Sequence, residues 1–508
     1  MTLEEKIGQL FIIPACQLRG EDHFEDLERL IRDGKVGGII LKQGTADGQR
    51  ALIDKLKSFS RLPLLFVQDG EWGVGMRLTD VLAFPRNLTL GAVQDLSLLF
   101  QLGQEIGRQC RLVGVHLNLA PVSDVNCNPQ NPIIHMRSFG ENPVQVAIRC
   151  QLVMFGIQSM GVLACAKHFP GHGDTSVDSH VDLPFITHGL HRLLRVELFP
   201  FQALIRAGVK VVMSAHLCVK AIDELPATFS HRIITDLLQN KLGFNGLVIS
   251  DALNMKALSN RFSPDQIAIK ALLAGHDLLL YGDHIAPNVD QILRRDIPQA
   301  IAALKAAVEN KEISEEFIDA RVNKILKAKE ELGIPYEKID NLAEKINSSQ
   351  ARALKRKLFQ EAITVIRGEE FLPLDDKKIA LIEWGESPIF AAMIDADRFS
   401  LNDPELFEKV SRYSRLVISL SKYSTAWPNF GLEAQDEEFL IALSRRGIPT
   451  VAVIFGTPYS LSRLPLFETI IVAYENANEA QEAAADVLLG KLSPKGKLPI
   501  SIHQSVRG

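Results

Sequence analysis

Short apolar runs recur through the first two-thirds of the chain and alternate with stretches of helical period. VGGIIL (36–41), PLLFVQD (63–69), HLNLAPVSDV (116–125), VLACAKHF (162–169), VKVVMSAHL (209–217), GLVISDAL (246–253) and HDLLLY (276–281) are continuous in polarity rather than alternating. Strands that read this way are buried on both faces, as in parallel sheets covered by helices. SLLFQLGQEIGRQCRLVG and AALKAAVENKEI supply intervening helices, and MTLEEKIGQLF reads as an amphipathic helix at the start. Strand–helix units repeated over roughly 330 residues predict an α/β fold, a (β/α)8 TIM-like barrel.

The pattern changes at 310–360, where EEFIDARVNKILKAKEELGI and NLAEKINSSQARALKRKLFQEAI are helical and highly charged. KKIALIEWG, SRLVISL, PTVAVIFG and ETIIVAYE then form a second alternating region, read as a smaller α/β sandwich domain with a parallel sheet. The expected division is a barrel catalytic domain over 1–335, a helical linker over 336–375 and a C-terminal α/β sandwich over 376–508.

Composition narrows the function classes. The 508 residues exceed one ordinary domain, and 46% hydrophobic with 23% charged residues is typical of a soluble globular protein. A formal net charge of -5 gives no reason to expect a nucleic-acid partner. No apolar run is long enough for a transmembrane helix. The six cysteines, Cys16, Cys110, Cys127, Cys150, Cys165 and Cys218, form no CxxC pair, so buried thiols are expected rather than a disulfide frame or zinc site. With no charged n-region and apolar h-region, no signal peptide is expected. The compartment stays open: cytoplasmic as the chain stands, extracytoplasmic if the N-terminus was trimmed.

Polar residues sit at the ends of the apolar runs. Asp69, Asn118, Lys167, His168, His216 and Asp251 all do so. In a barrel those ends share one face, where active sites are built.

The densest titratable stretch is KHFPGHGDTSVDSH (167–180). A metal site could draw on His168, His172, His180, Asp174 and Asp178, but there is no HExxH and no HxH at a first strand. GHGDT reads as a glycine-permitted turn that spends its polar side chains on its own backbone. The acid/base reading rests on Asp178 and His180. At that spacing the carboxylate can accept from one ring nitrogen while the other faces a substrate. Alone, an Asp-x-His pair is more often a surface hydrogen bond. Asp251, in VISDALNM, suits a nucleophile, a base, a metal ligand or an N-cap of a helix running on through ALNMKAL.

Together these motifs resemble glycoside hydrolase family 3, and within it the β-N-acetylglucosaminidase (NagZ-type) branch. QDGEWGVGMRL (68–78), APVSDVNCNPQNPIIHMRSFGENP (120–143), KHFPGHGDTSVDSHVDLP (167–184) and SDALNM (250–255) carry the resemblance in order. AITVIRGEEFLPL (362–374), VAVIFGTPYSL (451–461) and GKLSPKGKLPISI (490–502) extend it over nearly the whole chain. The resemblance implies Asp251 as a nucleophile that forms a covalent glycosyl-enzyme, His180 as acid/base and Asp178 as its partner. It implies Asp69, Arg77, Arg137, Lys167 and His168 as binders of the terminal sugar. The activity implied is exo-acting, retaining removal of terminal non-reducing GlcNAc, from peptidoglycan-derived muropeptides or chitin oligosaccharides, with no cofactor and no metal. The partner is a small carbohydrate, with neither nucleic acid nor a membrane span involved.

Physical chemistry is consistent with those roles. Retention needs an anionic nucleophile and a separate proton donor, and Asp251 beside Lys167 and the arginines is expected to stay ionised. An imidazole acid/base repels anions less than a glutamate, which keeps phosphorolysis as a minor alternative. Two positions depart from the common pattern. Trp72 stands where a glycine is frequent and reads equally as rim packing or a sugar platform. His135 also replaces a frequent glycine, close to Arg137. His216 is a candidate for supporting the site from behind, as is Met255, which suits pocket lining and core packing equally. His116, His188, His191, His231, His276, His284 and His503 are read as structural or solvated, and Asn118 and Asp124 as braces for loops. The rival readings are a β-glucosidase or β-xylosidase of the same family, a non-catalytic carbohydrate-binding protein and a barrel metallohydrolase.

Overall fold

The computed structural model describes residues 1–282, 289–332, 341–375, 378–401, 403–421 and 428–502. His284, His503 and residues 336–340 of the expected linker lie outside the described residues. The chain divides into two compact units. The first comprises Met1–Phe84, Leu99–Asn131 and Val146–Ala351, the second Pro85–Leu98, Pro132–Gln145 and Arg352–Gly508.

In the first unit β1 (Phe11–Ala15), β2 (Gly38–Leu41), β3 (Leu65–Gln68), β4 (Leu117–Asn118), β5 (Leu163–Phe169), β7 (Val211–Ser214), β9 (Leu247–Ser250) and β10 (Leu279–Leu280) form one eight-stranded parallel sheet. Each pairs with the next, and β10 pairs back onto β1 through Phe11 with Leu279 and Ile12 with Leu280. An Ile249–Leu278 bridge joins β9 to the run into β10, closing the (β/α)8 barrel. A short side ladder joins β6 (Phe185–Ile186) to β8 (Cys218–Val219). The strands are buried almost without interruption, as their unbroken apolar runs require.

The sequence reading missed β1. The opening helix stops at Gly8, where a side-chain carbon would collide with the Gly34 carbonyl, and FIIPA continues as a strand. Pro14 lacks the N–H a central strand uses and disguises the segment, yet it pairs in register with Ile40.

The second unit holds a six-stranded sheet ordered β11–β16–β15–β14–β12–β13. β12 (Ile379–Trp384), β13 (Asp397–Ser400), β14 (Arg415–Leu420), β15 (Thr450–Ile454) and β16 (Thr469–Val472) are parallel. β11 (Thr364–Arg367) runs antiparallel on the edge, within the stretch expected as helical linker. Successive strand residues point to opposite faces. Leu381, Val417, Val453 and Ile471 join a core with Phe359, Phe390 and the helix Asn478–Leu488. Ile382, Ile418 and Ile454 on the other face are equally buried, so this is an α/β sandwich.

Candidate active site

The ends of β2, β3, β5, β7 and β9 present polar side chains at one rim of the barrel. Asp69 follows β3 and accepts from Arg77 Nη2 at 2.6 Å on one oxygen and Lys167 Nζ at 3.2 Å on the other. Lys167, on β5 and 2% exposed, also pairs with Glu71 at 2.9 Å. Lys42, directly after β2, has a fully buried side chain 4.0 Å from Asp69. Asp69 is thus surrounded by cations, and its acceptor oxygens are fixed in place. The sequence reading passed over Lys42 and Glu71. Lys42 occupies a strand-end position like Asp69 and Asp251, which was the available signal, and Glu71 lies inside the QDGEWG motif.

His168, next to Lys167, is set by Asp124. The Asp124 carboxylate lies 2.7 Å from His168 Nδ1 and also accepts the backbone N–H of His172 at 2.7 Å. Burial would push the Asp124 carboxyl up, but His168 and His172 together bring it below its ordinary value. Asn118 braces the loop after β3 by two bonds to the Gly70 backbone, at 2.9 and 3.1 Å.

The loop after β5 carries the Asp-x-His pair. Asp178 Oδ1 lies 2.6 Å from His180 Nδ1 and 2.8 Å from the His180 backbone nitrogen. Burial would raise the Asp178 carboxyl, but the His180 bonds win and hold it low. His172 supports the pair from below. The Thr175 hydroxyl donates to the His172 carbonyl at 3.0 Å, so at the 2.7 Å contact between His172 Nδ1 and that hydroxyl, Nδ1 is the donor. Nε2 is then the acceptor facing the Ser179 hydroxyl at 3.3 Å, between Asp178 and His180. Burial holds His172 down at about 4, keeping this neutral tautomer. Gly173 leaves no room for a side chain, since a Cβ there would strike the Val125 carbonyl. The loop's polar side chains serve both its own backbone, as Thr175 does at the His172 carbonyl, and one another, as in the Asp174–His188 pair. Among the described residues no cluster of three or more histidine, cysteine or carboxylate side chains is arranged to hold a metal ion.

Asp251 follows β9, and its Oδ1 accepts the Ala252 N–H at 2.7 Å. Burial would raise its carboxyl, but His168, His216, His180 and that N–H hold it well below the usual carboxylate range. Imidazoles, rather than the lysine and arginines expected from sequence, dominate this effect. His216 bonds the Ala252 carbonyl through Nε2 at 2.9 Å and the Thr228 hydroxyl through Nδ1 at 2.6 Å, which fixes the peptide after Asp251. The N-cap alternative for Asp251 fails because the next helix begins only at Lys256. Met255 is fully buried. Trp72 is half-buried, and its carbonyl accepts from Phe84 N–H at 2.9 Å.

Arg137 belongs to the second unit, where its Nη1 donates to the Ile133 carbonyl at 3.2 Å. Beside it, His135 adopts a φ of +38°, the region that favours glycine. Its ring packs against Phe430 and Tyr459, which holds this conformation in place.

This chemistry matches a known family. Residues 2–328 match the glycosyl hydrolase family 3 N terminal domain, and 408–507 the corresponding C-terminal domain. The chain belongs to glycosyl hydrolase family 3. The family resemblance read from the motifs is thereby borne out, and the protein is a glycoside hydrolase. Among family members, beta-hexosaminidase A of Pseudoalteromonas piscicida is 27% identical over 94% of this chain and 91% of its own. A beta-N-acetylglucosaminidase/beta-glucosidase of Cellulomonas fimi is 27% identical over 98% and 94%. A solved family 3 beta-N-acetylglucosaminidase from Paenibacillus sp. str. FPU-7 is 30% identical, with a TM-score of 0.85 covering 100% of both chains. No helix among the described residues is long and apolar enough to cross a membrane.

Proposed function

We propose that this family 3 hydrolase is an exo-acting, retaining β-N-acetylglucosaminidase that removes terminal non-reducing GlcNAc from muropeptides or chitin oligosaccharides. The observation that carries the reading is the Asp178–His180 pair, an imidazole acid/base in the same unit as a carboxylate, Asp251, held ionised. The names borne by the Pseudoalteromonas, Cellulomonas and Paenibacillus relatives support the acetamido sugar.

In this mechanism Asp69, Arg77, Lys167 and His168 bind the sugar hydroxyls. An Asp251 oxygen bonds to C1 as the C1–O bond breaks, and protonated His180 gives its Nε2 proton to the departing oxygen. Asp178 stabilises the imidazolium and fixes Nδ1 as the nitrogen it holds. Water then attacks C1, His180 takes its proton and Asp251 is released as carboxylate. Negative charge on Asp251 stabilises the oxocarbenium-like transition states on both sides.

The test is hydrolysis of 4-nitrophenyl N-acetyl-β-glucosaminide beside 4-nitrophenyl β-glucoside, with EDTA present. Release from the first alone supports the reading. Equal release from the glucoside favours the β-glucosidase alternative, which the double name of the Cellulomonas relative makes the relevant control. Silence on both overturns it.

A further inference from the structure

The loop after β5 carries more ionic structure than proton transfer consumes. Asp174, ahead of the Asp178–His180 pair, accepts from the Nε2 of His188, which lies beyond it. The two residues therefore close the loop at its base and bracket the acid/base pair. Behind them, Arg192 Nη2 lies 3.7 Å from Asp174 and 3.0 Å from Glu197. Arg192 is in the helix Leu190–Arg195 and Glu197 follows it, so this end of the network is anchored in regular structure. The Glu197 side chain is 1% exposed, and burial raises its carboxyl while Arg192 opposes the rise. A buried carboxylate against a half-buried guanidinium costs desolvation that a mere surface loop has no need to incur.

The far half of the loop is fastened elsewhere. Ala257 N–H donates to the Ser179 carbonyl at 3.3 Å, Arg261 pairs with Asp182 at 2.8 Å, and Leu183 packs with Ala257 and Cys218. Ala257 and Arg261 belong to the segment that follows Asp251. His180 thus hangs between two anchorages, one on the nucleophile's side and one made by Asp174 and His188.

We infer that the hydrogen-bonded Asp174–His188 pair, backed by Arg192 and Glu197, is a positioning clasp that sets where His180 stands for proton transfer. The inference rests on the acid/base role proposed above. His188 and Asp174 act through the loop. A misplacement of about 1 Å costs on the order of 10²-fold where geometry governs the step. That cost falls on substrates that need the proton.

The experiment measures kcat/KM for aryl N-acetyl-β-glucosaminides of graded leaving-group ability, in wild type, His180→Ala, His188→Ala, His188→Gln and Asp174→Ala, with Tm for each. The clasp predicts a loss of roughly 10- to 100-fold on the poorest leaving group for His188→Ala. It predicts under about threefold on the dinitrophenyl glycoside, whose departure needs little protonation. His188→Gln, which keeps a donor at a similar reach, restores most of the rate. If His188→Ala does not fold, Asp174→Ala, which removes the acceptor from the other side, carries the same expectation. A uniform loss across all leaving groups, or none, overturns the clasp. A flat leaving-group profile for His180→Ala overturns it by a different route, through the acid/base assignment itself.

Discussion

The carboxylate of Asp178 takes both the ring Nδ1 and the backbone N–H of His180, at 2.6 and 2.8 Å. One side chain thereby fixes the orientation of the ring and the turn of the chain that carries it. Asp178→Asn retains the shape but loses the charge that stabilises the imidazolium. We expect kcat/KM to fall by about 10²- to 10³-fold on poor leaving groups and much less on activated ones. A steady-state leaving-group series checks this, and equal loss on all substrates contradicts it.

Asp251 is held ionised by the imidazoles around it and by the Ala252 N–H. Replacing it with asparagine is expected to lower kcat by roughly four orders of magnitude or more, as for nucleophiles elsewhere, with a near-native Tm. A slow fluorinated glycosyl donor should leave a mass adduct on the tryptic peptide containing Asp251. An adduct elsewhere would displace the nucleophile assignment.

The Lys42, Arg77 and Lys167 cations converge on Asp69, and Glu71 shares Lys167. If Asp69 accepts from sugar hydroxyls as proposed, Asp69→Ala is expected to cost about 10- to 100-fold in kcat/KM, mainly through KM. Glu71→Ala removes one carboxylate partner of the buried Lys167 and is expected to cost about 1–3 kcal/mol of stability, read by urea denaturation. Lys42→Met should raise KM several-fold, and an unchanged KM would remove Lys42 from the site.

Burial holds His172, His276 and His135 down at about 4, and His116 at about 3. Unfolded, each titrates near 6.5. The unfolded chain therefore binds more protons than the folded one throughout the interval between, and stability falls as pH drops from about 6.5 toward about 4. The lowered carboxyls of Asp124 and Asp178 add a further loss below that window, where the folded state resists protonation. Thermal melts should show Tm falling by roughly 5–10 °C between pH 6.5 and 4.5. A flat profile would mean that these rings are protonated in the fold.

The sequence by itself determined the barrel, because strands covered on both faces must be apolar at every position and seven of the eight advertise it. It determined the chemistry at the strand ends, since a charged side chain closing an apolar run has few places to go but the barrel rim. It also located the Asp178–His180 contact, proposed above as the acid/base pair, because residues two apart in a turn meet without help from the rest of the chain. Contacts distant in sequence were decided by the tertiary structure alone. Pairing of β2 with β3, Leu41 opposite Gln68, set Lys42 beside Asp69, and the folded barrel brought Asp124 to His168 and the imidazoles of His168, His180 and His216 around Asp251. A single sequence carries no mark of such pairings, since each partner satisfies its own local pattern. His188 shows the same limit: it reads as a structural or solvated histidine until the fold brings Asp174 to it, because such a pairing depends on distance in space and not along the chain.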